Sequence, residues 1–272
     1  MSAMSGSGER LKGTLTYAIV PLALLVLWHL VSVSGLVRQG ILPPPAQVAA
    51  TLLDLATGAT GDAGRYGGRL PEHAGASLVR VYAGFGLAVA LAVPLGVLIG
   101  LSRVAERLLD PTIQLVRNIP ITGFVPIAII FFGISDRPAI ALIALAAFFP
   151  AVVNTTYGTK QVNRLLVRTG QMMGADRWQI VTRIVVPAAS PAIFTGLRLS
   201  MGVAWVLVVV AEFIAVRSGL GYLLFDSYQF FRPDVTIAAM LGIGFLGFAS
   251  DRLILLARAR LLAWNRLETL RG

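Results

Sequence analysis

The chain has 272 residues, of which 56% are hydrophobic and only 13% are charged, and its formal net charge is +10. A soluble domain carries roughly twice this charged fraction, so the composition excludes an ordinary soluble protein and indicates a polytopic membrane protein. The absence of cysteine excludes disulfides and thiolate metal sites. The positive excess is typical of cytoplasmic loops that orient a membrane protein, rather than of a nucleic-acid-binding surface.

The N-terminal segment, residues 1–14, is small and polar, and the first predicted span follows it over residues 15–33. This apolar run is longer than a signal-peptide core and no A-x-A cleavage site follows it, which favours a retained anchor with a cytoplasmic N-terminus. A Gly- and Pro-rich external segment continues to residue 74. Its turn-rich part, residues 57–73, fits no regular element, and the sequence leaves open whether that part is ordered.

Five more spans are predicted, at residues 79–101, 109–134, 139–157, 193–216 and 235–257. Each contains about the 20 residues that cross a bilayer as a helix. Residues 102–107 form a short hydrophilic link on the cytoplasmic side. We therefore predict an all-α membrane protein with six transmembrane helices, because this count places both termini and the most basic segments in the cytoplasm.

Four ionisable residues inside these spans attract attention, namely Arg117, Arg198, Glu212 and Asp251. Charged groups in a span are costly and by default face the bundle interior or a water-filled path. For Arg198 and Asp251 we expect structural ion pairing or snorkelling. Arg117 and Glu212 are candidates for the lining of a translocation pathway.

The third predicted span is interrupted by Arg117-Asn118-Ile119-Pro120. Irregular backbone at membrane depth is tolerated only where it is buried in protein or lines a cavity. We therefore add Asn118 and Pro120 to the pathway candidates.

Several other motifs lack the context that their chemistry needs. Residues 242–247 match GxGxxG, but they lie inside an apolar run, which indicates close helix packing and not a dinucleotide site. The only lysines, Lys12 and Lys160, are not part of a Walker A loop, so the chain by itself is not a P-loop ATPase. His29 and His73 have no neighbouring ligand cluster, and we expect no metal site.

Residues 161–191 form a polar, basic segment between two spans. Apolar residues recur at helical spacing over residues 162–173 and again over residues 178–185. Gly174 lies between the two patterns, and Asp176 is a plausible N-cap for the second. The segment is predicted to be a helix–turn–helix outside the membrane, with apolar faces that need a partner; an amphipathic loop resting on the lipid surface is the alternative.

Nine residues separate Gly174 from Ile184, and Val185-Val186-Pro187 follows. This spacing resembles the cytoplasmic loop of type I ABC importer permeases, whose pattern is EAA, three residues, Gly, nine residues, Ile, one residue and Leu-Pro. Arg168-Thr169-Gly170 stands where that family has EAA, and Val186 stands where it has Leu. The resemblance covers about residues 75–265 and is closest to the branch that imports nitrate, taurine and aliphatic sulfonates.

The resemblance implies the type I ABC importer transmembrane fold, with a permease domain at residues 75–257, a coupling loop at residues 158–190 and a basic cytoplasmic tail at residues 258–272. It implies that the loop docks on an ATPase subunit through an exposed apolar face around Trp178, Val181 and Ile184, with Pro187 ending the second helix. The complete set of residues predicted for this coupling is Gly174, Ala175, Asp176, Arg177, Trp178, Val181, Ile184 and Pro187.

The same resemblance implies a multi-pass protein of the bacterial inner membrane that works as a homodimer. Its expected partners are two ATP-binding subunits and a periplasmic binding protein that delivers a small, anionic solute. The chain itself is expected to bind no cofactor and to catalyse no reaction, because ATP and Mg²⁺ are used by the ATPase subunits.

Two other functional classes are weighed against this interpretation. A secondary transporter driven by an ion gradient would use Arg117 and Glu212 as a charge relay, but no clear inverted repeat supports it. A membrane-embedded enzyme would need a convergent catalytic set, which the sequence does not contain.

Overall fold

The computed structural model describes residues 5–37 and 40–262, which form α-helices with short 3-10 and π turns and contain no strand. Residues 1–4 of the predicted N-terminal segment and residues 263–272 of the predicted basic tail lie outside these ranges. The α-helices are α1 Ser5–Val33, α2 Pro45–Thr57, α3 Leu70–Leu101, α4 Arg103–Val116, α5 Val125–Phe132, α6 Asp136–Lys160, α7 Arg164–Met172, α8 Arg177–Ile180, α9 Val186–Ala215, α10 Leu220–Gln229 and α11 Pro233–Leu261. The short turns are 3-10 turns at Gly64–Tyr66 and Ile121–Phe124 and a π turn at Val181–Val185.

By length and apolar composition, four helical stretches among the described residues are long enough to cross a membrane: Leu70–Leu101, Asp136–Lys160, Arg177–Ala215 and Pro233–Leu261. A fifth arises if α4 and the segment Ile121–Phe132 form one span, although these two are bent by 86° relative to each other. Ile19–Val33, the C-terminal part of α1, is a shorter apolar helical segment. The helical character of every predicted span is confirmed, and the count of six stays a prediction.

The helices extend beyond two predicted boundaries. The second predicted span begins at residue 79, whereas α3 already begins at Leu70. The predicted hydrophilic link at residues 102–107 is reduced to Ser102, whose side chain accepts a hydrogen bond from the Ala105 amide and so caps α4. The charged segment 103–107 therefore forms the beginning of α4, and the Ser102 cap satisfies one of the amides that a helix start leaves unpaired.

The contacts divide the chain into two units, Met1–Pro71 with Leu224–Met240 and Glu72–Leu223 with Leu241–Gly272. In the second unit α6 packs most extensively, against α9. Glycines permit this contact, since a Cβ at Gly196 would lie 2.7 Å from the Asn154 Cβ and one at Gly158 would lie 2.5 Å from the Ala192 Cβ. Close approach through small residues is typical of helices that associate inside lipid.

The first unit contains the turn-rich segment, which is organised around the buried carboxylate of Asp54. Asp54 Oδ1 accepts hydrogen bonds from the amides of Thr60 (2.8 Å) and Gly61 (2.9 Å), and Oδ2 accepts one from the amide of Ala63 (2.7 Å). The amides of Ala63 and Gly61 contribute most to holding the pKa of Asp54 below its ordinary value. Of the segment 57–73 that the sequence leaves undecided, residues 58–69 are thus an ordered loop with a 3-10 turn, whereas residues 70–73 belong to α3 and not to a turn region as expected.

Candidate functional site

The predicted helix–turn–helix between two spans is confirmed. Asn163 caps α7 by accepting a hydrogen bond from the Leu165 amide at 2.8 Å. Gly174 follows with φ +83°, a left-handed conformation that favours glycine. Asp176 then forms a capping box, in which its Oδ1 accepts from the Gln179 amide at 2.7 Å and Gln179 Oε1 accepts from the Asp176 amide at 3.1 Å. We call α7, the turn, α8 and the π turn Val181–Val185 the coupling hairpin, after the coupling loop that the sequence predicts.

The apolar side chains of the coupling hairpin divide into an inner and an outer set. Ile180 is buried, and Ile184 packs on Gly170, where an added Cβ would lie 2.5 Å from Ile184 Cδ1. Glycine at position 170 therefore lets α7 and the helix after the turn approach each other. Val181 is likewise only partly exposed. Of the predicted face around Trp178, Val181 and Ile184, Trp178 is exposed and the other two are partly exposed, with Ile184 packed on Gly170.

The outer set comprises Leu165 and Leu166 on α7, which are 66% and 51% exposed, and three large apolar side chains near the tip of the hairpin. Met172 is 88% exposed, Met173 is 82% exposed and Trp178 is 74% exposed. Ala175 is half-buried and Arg177 is exposed beside them. Methionine and tryptophan are enriched at the cores of protein–protein interfaces, so this tip has the composition of a docking surface.

Pro187 does not end the second helix as predicted. The chain passes from α8 through the π turn Val181–Val185 directly into α9, where Pro187 occupies the first turn. The amide of Val186 donates to the carbonyl of Val181, five residues earlier, so the wider turn relocates hydrogen bonds at the point where proline lacks a donor. Arg177–Ala215 is consequently one helical stretch of 39 residues.

Arg117, Asn118 and Pro120 lie at the bend between α4 and the 3-10 turn Ile121–Phe124. All three are exposed. Arg117 is the C-cap of α4, and the Asn118 side chain donates to the carbonyl of Gln114 at 2.6 Å. The predicted break in this span is confirmed, and the bend presents a cationic group and irregular backbone on the surface of this chain.

Glu212 lies far from such exposure, because its side chain is 0% accessible. Its Oε1 accepts from Arg80 Nη1 at 2.7 Å and from Ser77 Oγ at 2.8 Å, and its Oε2 accepts from the Gly221 amide at 2.8 Å. A Cβ at Gly219 would collide with this carboxylate. Glu212 can line a pathway only if this buried network opens.

Arg80 is the centre of the network and was not singled out by the sequence. Its Nε donates to Asp136 Oδ1 at 2.7 Å, and its other nitrogens donate to the Ser218 carbonyl at 2.8 Å and the Ser218 Oγ at 2.6 Å. Arg80 thus joins α3, the start of α6, the end of α9 and the loop after it. One signal in the sequence could have identified Arg80. It lies at the beginning of a predicted span, and an arginine in that position needs a polar partner.

The expected pairing of Arg198 with Asp251 is confirmed. Arg198 Nε donates to Asp251 Oδ1 at 2.5 Å, and Nη2 donates to Oδ2 at 2.9 Å. Within residues 5–37 and 40–262, no group of three His, Cys, Asp or Glu side chains is placed to hold a metal ion. The site therefore combines an exposed apolar hairpin tip, a bend at the end of α4 and ion pairs between helices, which suit the binding of a partner and the movement of helices.

The chain is similar to known proteins over most of its length. Residues 92–262 match the family "Binding-protein-dependent transport system inner membrane component". The chain is 35% identical to the taurine transport system permease protein TauC of Escherichia coli (strain K12), over 89% of this chain and 86% of the relative. It is 31% identical to the putative aliphatic sulfonates transport permease protein SsuC of Bacillus subtilis (strain 168), over 95% of this chain and 90% of the relative.

Among solved structures, the chain is similar to one described as inward-facing conformations of the MetNI methionine ABC transporter, in its CY5 SeMet soak crystal form. The TM-score is 0.56 at 18% sequence identity, covering 68% of this chain and 94% of that chain. At this identity the likeness concerns the fold alone.

Proposed function

The chain belongs to the family of binding-protein-dependent transport system inner membrane components, a family of ABC importer permeases, and from this premise we propose that it forms the translocation pathway of an ATP-driven importer for a small anionic solute. Taurine, an alkanesulfonate or nitrate is the expected class. The proposed assembly contains two copies of this chain with six spans each and cytoplasmic termini, two ATP-binding subunits and a periplasmic binding protein, in the bacterial inner membrane. ATP and Mg²⁺ belong to the ATP-binding subunits, and this chain binds no cofactor.

The observation that carries the proposal is the exposed apolar tip of the coupling hairpin. Met172, Met173 and Trp178 expose most of their surface near the tip, and Leu165 and Leu166 are exposed on α7 of the same hairpin. Such side chains in a cluster mark an interaction site, because leaving them in water forgoes about 25 cal/mol per Å² of apolar area. An ATP-binding subunit that covers the tip supplies the missing burial.

The helical stretch Arg177–Ala215 supports the mechanical part of the proposal. It begins in the coupling hairpin and ends beside the loop that Glu212 and Arg80 hold in place. About 58 Å of rise therefore connects the two ends, at 1.5 Å per residue. A docked ATPase dimer that closes on nucleotide biases the position of this helix, and such a bias is what a ligand-driven conformational change requires.

The proposed contact set follows the geometry. Gly174, Ala175, Asp176 and Arg177 shape the turn that presents Trp178 to the ATPase. Arg117, Asn118 and Pro120 are proposed to line the pathway at the α4 bend.

Reconstitution tests the proposed function directly. We expect the chain, combined with the ATP-binding subunit and the binding protein encoded beside it, to import taurine or ethanesulfonate into proteoliposomes only when ATP is present. Trp178→Asp should abolish co-purification with the ATP-binding subunit and uptake, whereas Gln171→Asp, also exposed on the hairpin, should preserve both. Uptake by this chain alone under a proton or sodium gradient would refute the proposal and favour a secondary transporter.

A further inference from the structure

Another arginine, Arg198, lies on α9 inside the predicted span 193–216 and is paired but not enclosed. It follows Val186, the first residue of α9, by twelve positions, which places it about 18 Å along the helix axis. Its side chain is 51% exposed and that of its partner Asp251 is 27% exposed. Charged groups inside a span by default face the bundle interior or a water-filled path, so the open side of this ion pair indicates contact with protein or with such a path.

Asp251 is held in place by its neighbour in sequence. Ser250 is buried, and its Oγ accepts hydrogen bonds from Trp205 Nε1 at 3.1 Å and from Tyr82 Oη at 3.0 Å. This anchors α11 to α9 and α3 one residue before Asp251. The Asp251 carboxylate then engages the Nε and Nη2 side of the Arg198 guanidinium, so the guanidinium is oriented by a fixed partner.

The ion pair leaves much of the guanidinium available. Arginine carries five N–H donors in a planar fork, and Asp251 accepts from two of them. The other three have no hydrogen-bond partner among the residues that the structure describes. They are both donors on Nη1 and one on Nη2, which together form the edge that binds a two-oxygen acceptor end on.

Space for such an acceptor exists beside Arg198. A groove on this part of α9 is lined by Thr195, Leu199, Gly202, Val203 and Val206 together with the ion pair. Gly202 lies one turn beyond Arg198, and a Cβ built there would meet nothing within 4 Å. The Thr195 hydroxyl donates its hydrogen to the Pro191 carbonyl at 3.0 Å and so is not free to donate to a ligand. Among the residues that line the groove, Arg198 is the one charged donor.

We propose that Arg198 binds the oxyanionic group of the solute as it passes along the α9 groove, and that Asp251 is the positioning residue that aims the guanidinium. The ligand class is a small solute that carries one acidic group with two or three oxygens, arranged around a tetrahedral centre as in a sulfonate or in one plane as in nitrate. The inference rests on the proposed transport function and adds to it a specific anion contact. An alternative in which the pair only clamps α9 to α11 predicts no effect on anion recognition.

The absence of cysteine from the chain permits a test that does not depend on transport. Gly202→Cys, in membrane vesicles containing the assembled importer, is treated with 2-sulfonatoethyl methanethiosulfonate and with its trimethylammonium counterpart. With rates normalised to those of free 2-mercaptoethanol, we expect the anionic reagent to be preferred and the preference to fall about tenfold in Arg198→Gln. Leu91→Cys, an exposed apolar position on α3, is the control and should show no dependence on Arg198.

Equal preference with and without Arg198 would overturn the proposal. If Arg198→Gln fails to insert, protection of Gly202→Cys in the otherwise unchanged chain decides instead. Ethanesulfonate should slow labelling there, and the uncharged ethyl methyl sulfone should not. Equal protection by both compounds, or by neither, would likewise overturn the proposal.

Uptake kinetics separate this inference from the proposed function. We expect Arg198→Gln to raise the KM for ethanesulfonate by about tenfold or more, as for a lost charge-assisted bidentate contact, with kcat less affected and Arg198→Lys intermediate. Asp251→Asn should raise KM while the amount of assembled complex stays unchanged. Failure of the unaltered assembly to import any sulfonate, taurine or nitrate would refute the proposed function, whereas normal import with unchanged KM in Arg198→Gln would refute only the role of Arg198.

Discussion

Replacing Arg80 by methionine tests the buried network at the end of α9. The substitution keeps an unbranched side chain of similar length but leaves the Glu212 carboxylate, which is 0% exposed, without its cationic partner. Removing one member of a buried ion pair typically costs about 3–5 kcal/mol, because the remaining charge is neither solvated nor paired. Glu212 keeps its bonds from Ser77 and the Gly221 amide, so we expect the lower part of that range.

The assay is the temperature at which half of the detergent-solubilised protein loses monodispersity. A loss of about 3 kcal/mol corresponds to a decrease of roughly 6–12 °C for a chain of this size. The double variant Arg80→Met/Glu212→Gln should recover part of the loss, since it removes the unpaired charge as well. Arg65→Met is the matched control, because Arg65 is 52% exposed in its pair with Asp226, and it should shift the temperature little. A decrease below about 2 °C for Arg80→Met would refute the reasoning.

Three further predictions concern other parts of the chain. Gly174→Val should abolish ATPase association without preventing membrane insertion, because φ +83° strains any β-branched residue. Gly133 has φ +72° but lies outside the hairpin, so Gly133→Val should leave association intact. Normal co-purification of the Gly174 variant would contradict the docking role. Arg117→Ala should impair uptake without disrupting assembly, and unchanged uptake kinetics would return Arg117 to a structural role. Because the pKa of Asp54 is lowered in the folded chain, its contribution to loop stability is complete above the ordinary pKa near 4 and is lost as the pH falls through the lower folded pKa. Proteolysis of residues 58–68 should therefore rise only at strongly acidic pH. Asp54→Asn should make this proteolysis rapid at neutral pH, and equal protection of the variant and the unaltered chain would contradict the role of the carboxylate.

The loop around Asp54 shows one limit of sequence reasoning. Glycines and small residues over 57–73 indicate turns, but no local signal shows that one carboxylate collects three amides from within six to nine residues. The order of this loop depends on Asp54 being buried at the end of α2. Burial is a property of the packed unit, and the local pattern does not contain it.

Short-range signals predicted the coupling hairpin well. Gly174 and Asp176 act through their own backbone conformation and through amides at most three residues away, so the turn and the capping box follow from adjacent residues. The position of Pro187 was misjudged for the complementary reason. A proline normally ends or begins a helix, whereas here the helix continues through a π turn into α9, and the residues around Pro187 give no local signal of that turn.

The sequence by itself determined the membrane class, the approximate spans, the hairpin and the presence of charges that need partners. It did not determine those partners, because Arg80 and Glu212 are 132 positions apart and Arg198 and Asp251 are 53 apart. The tertiary structure decided that Glu212 is enclosed and that Arg198 keeps an open edge. The physical reason is that the cost of a charge in a span depends on what surrounds it, and helices distant in sequence supply those surroundings.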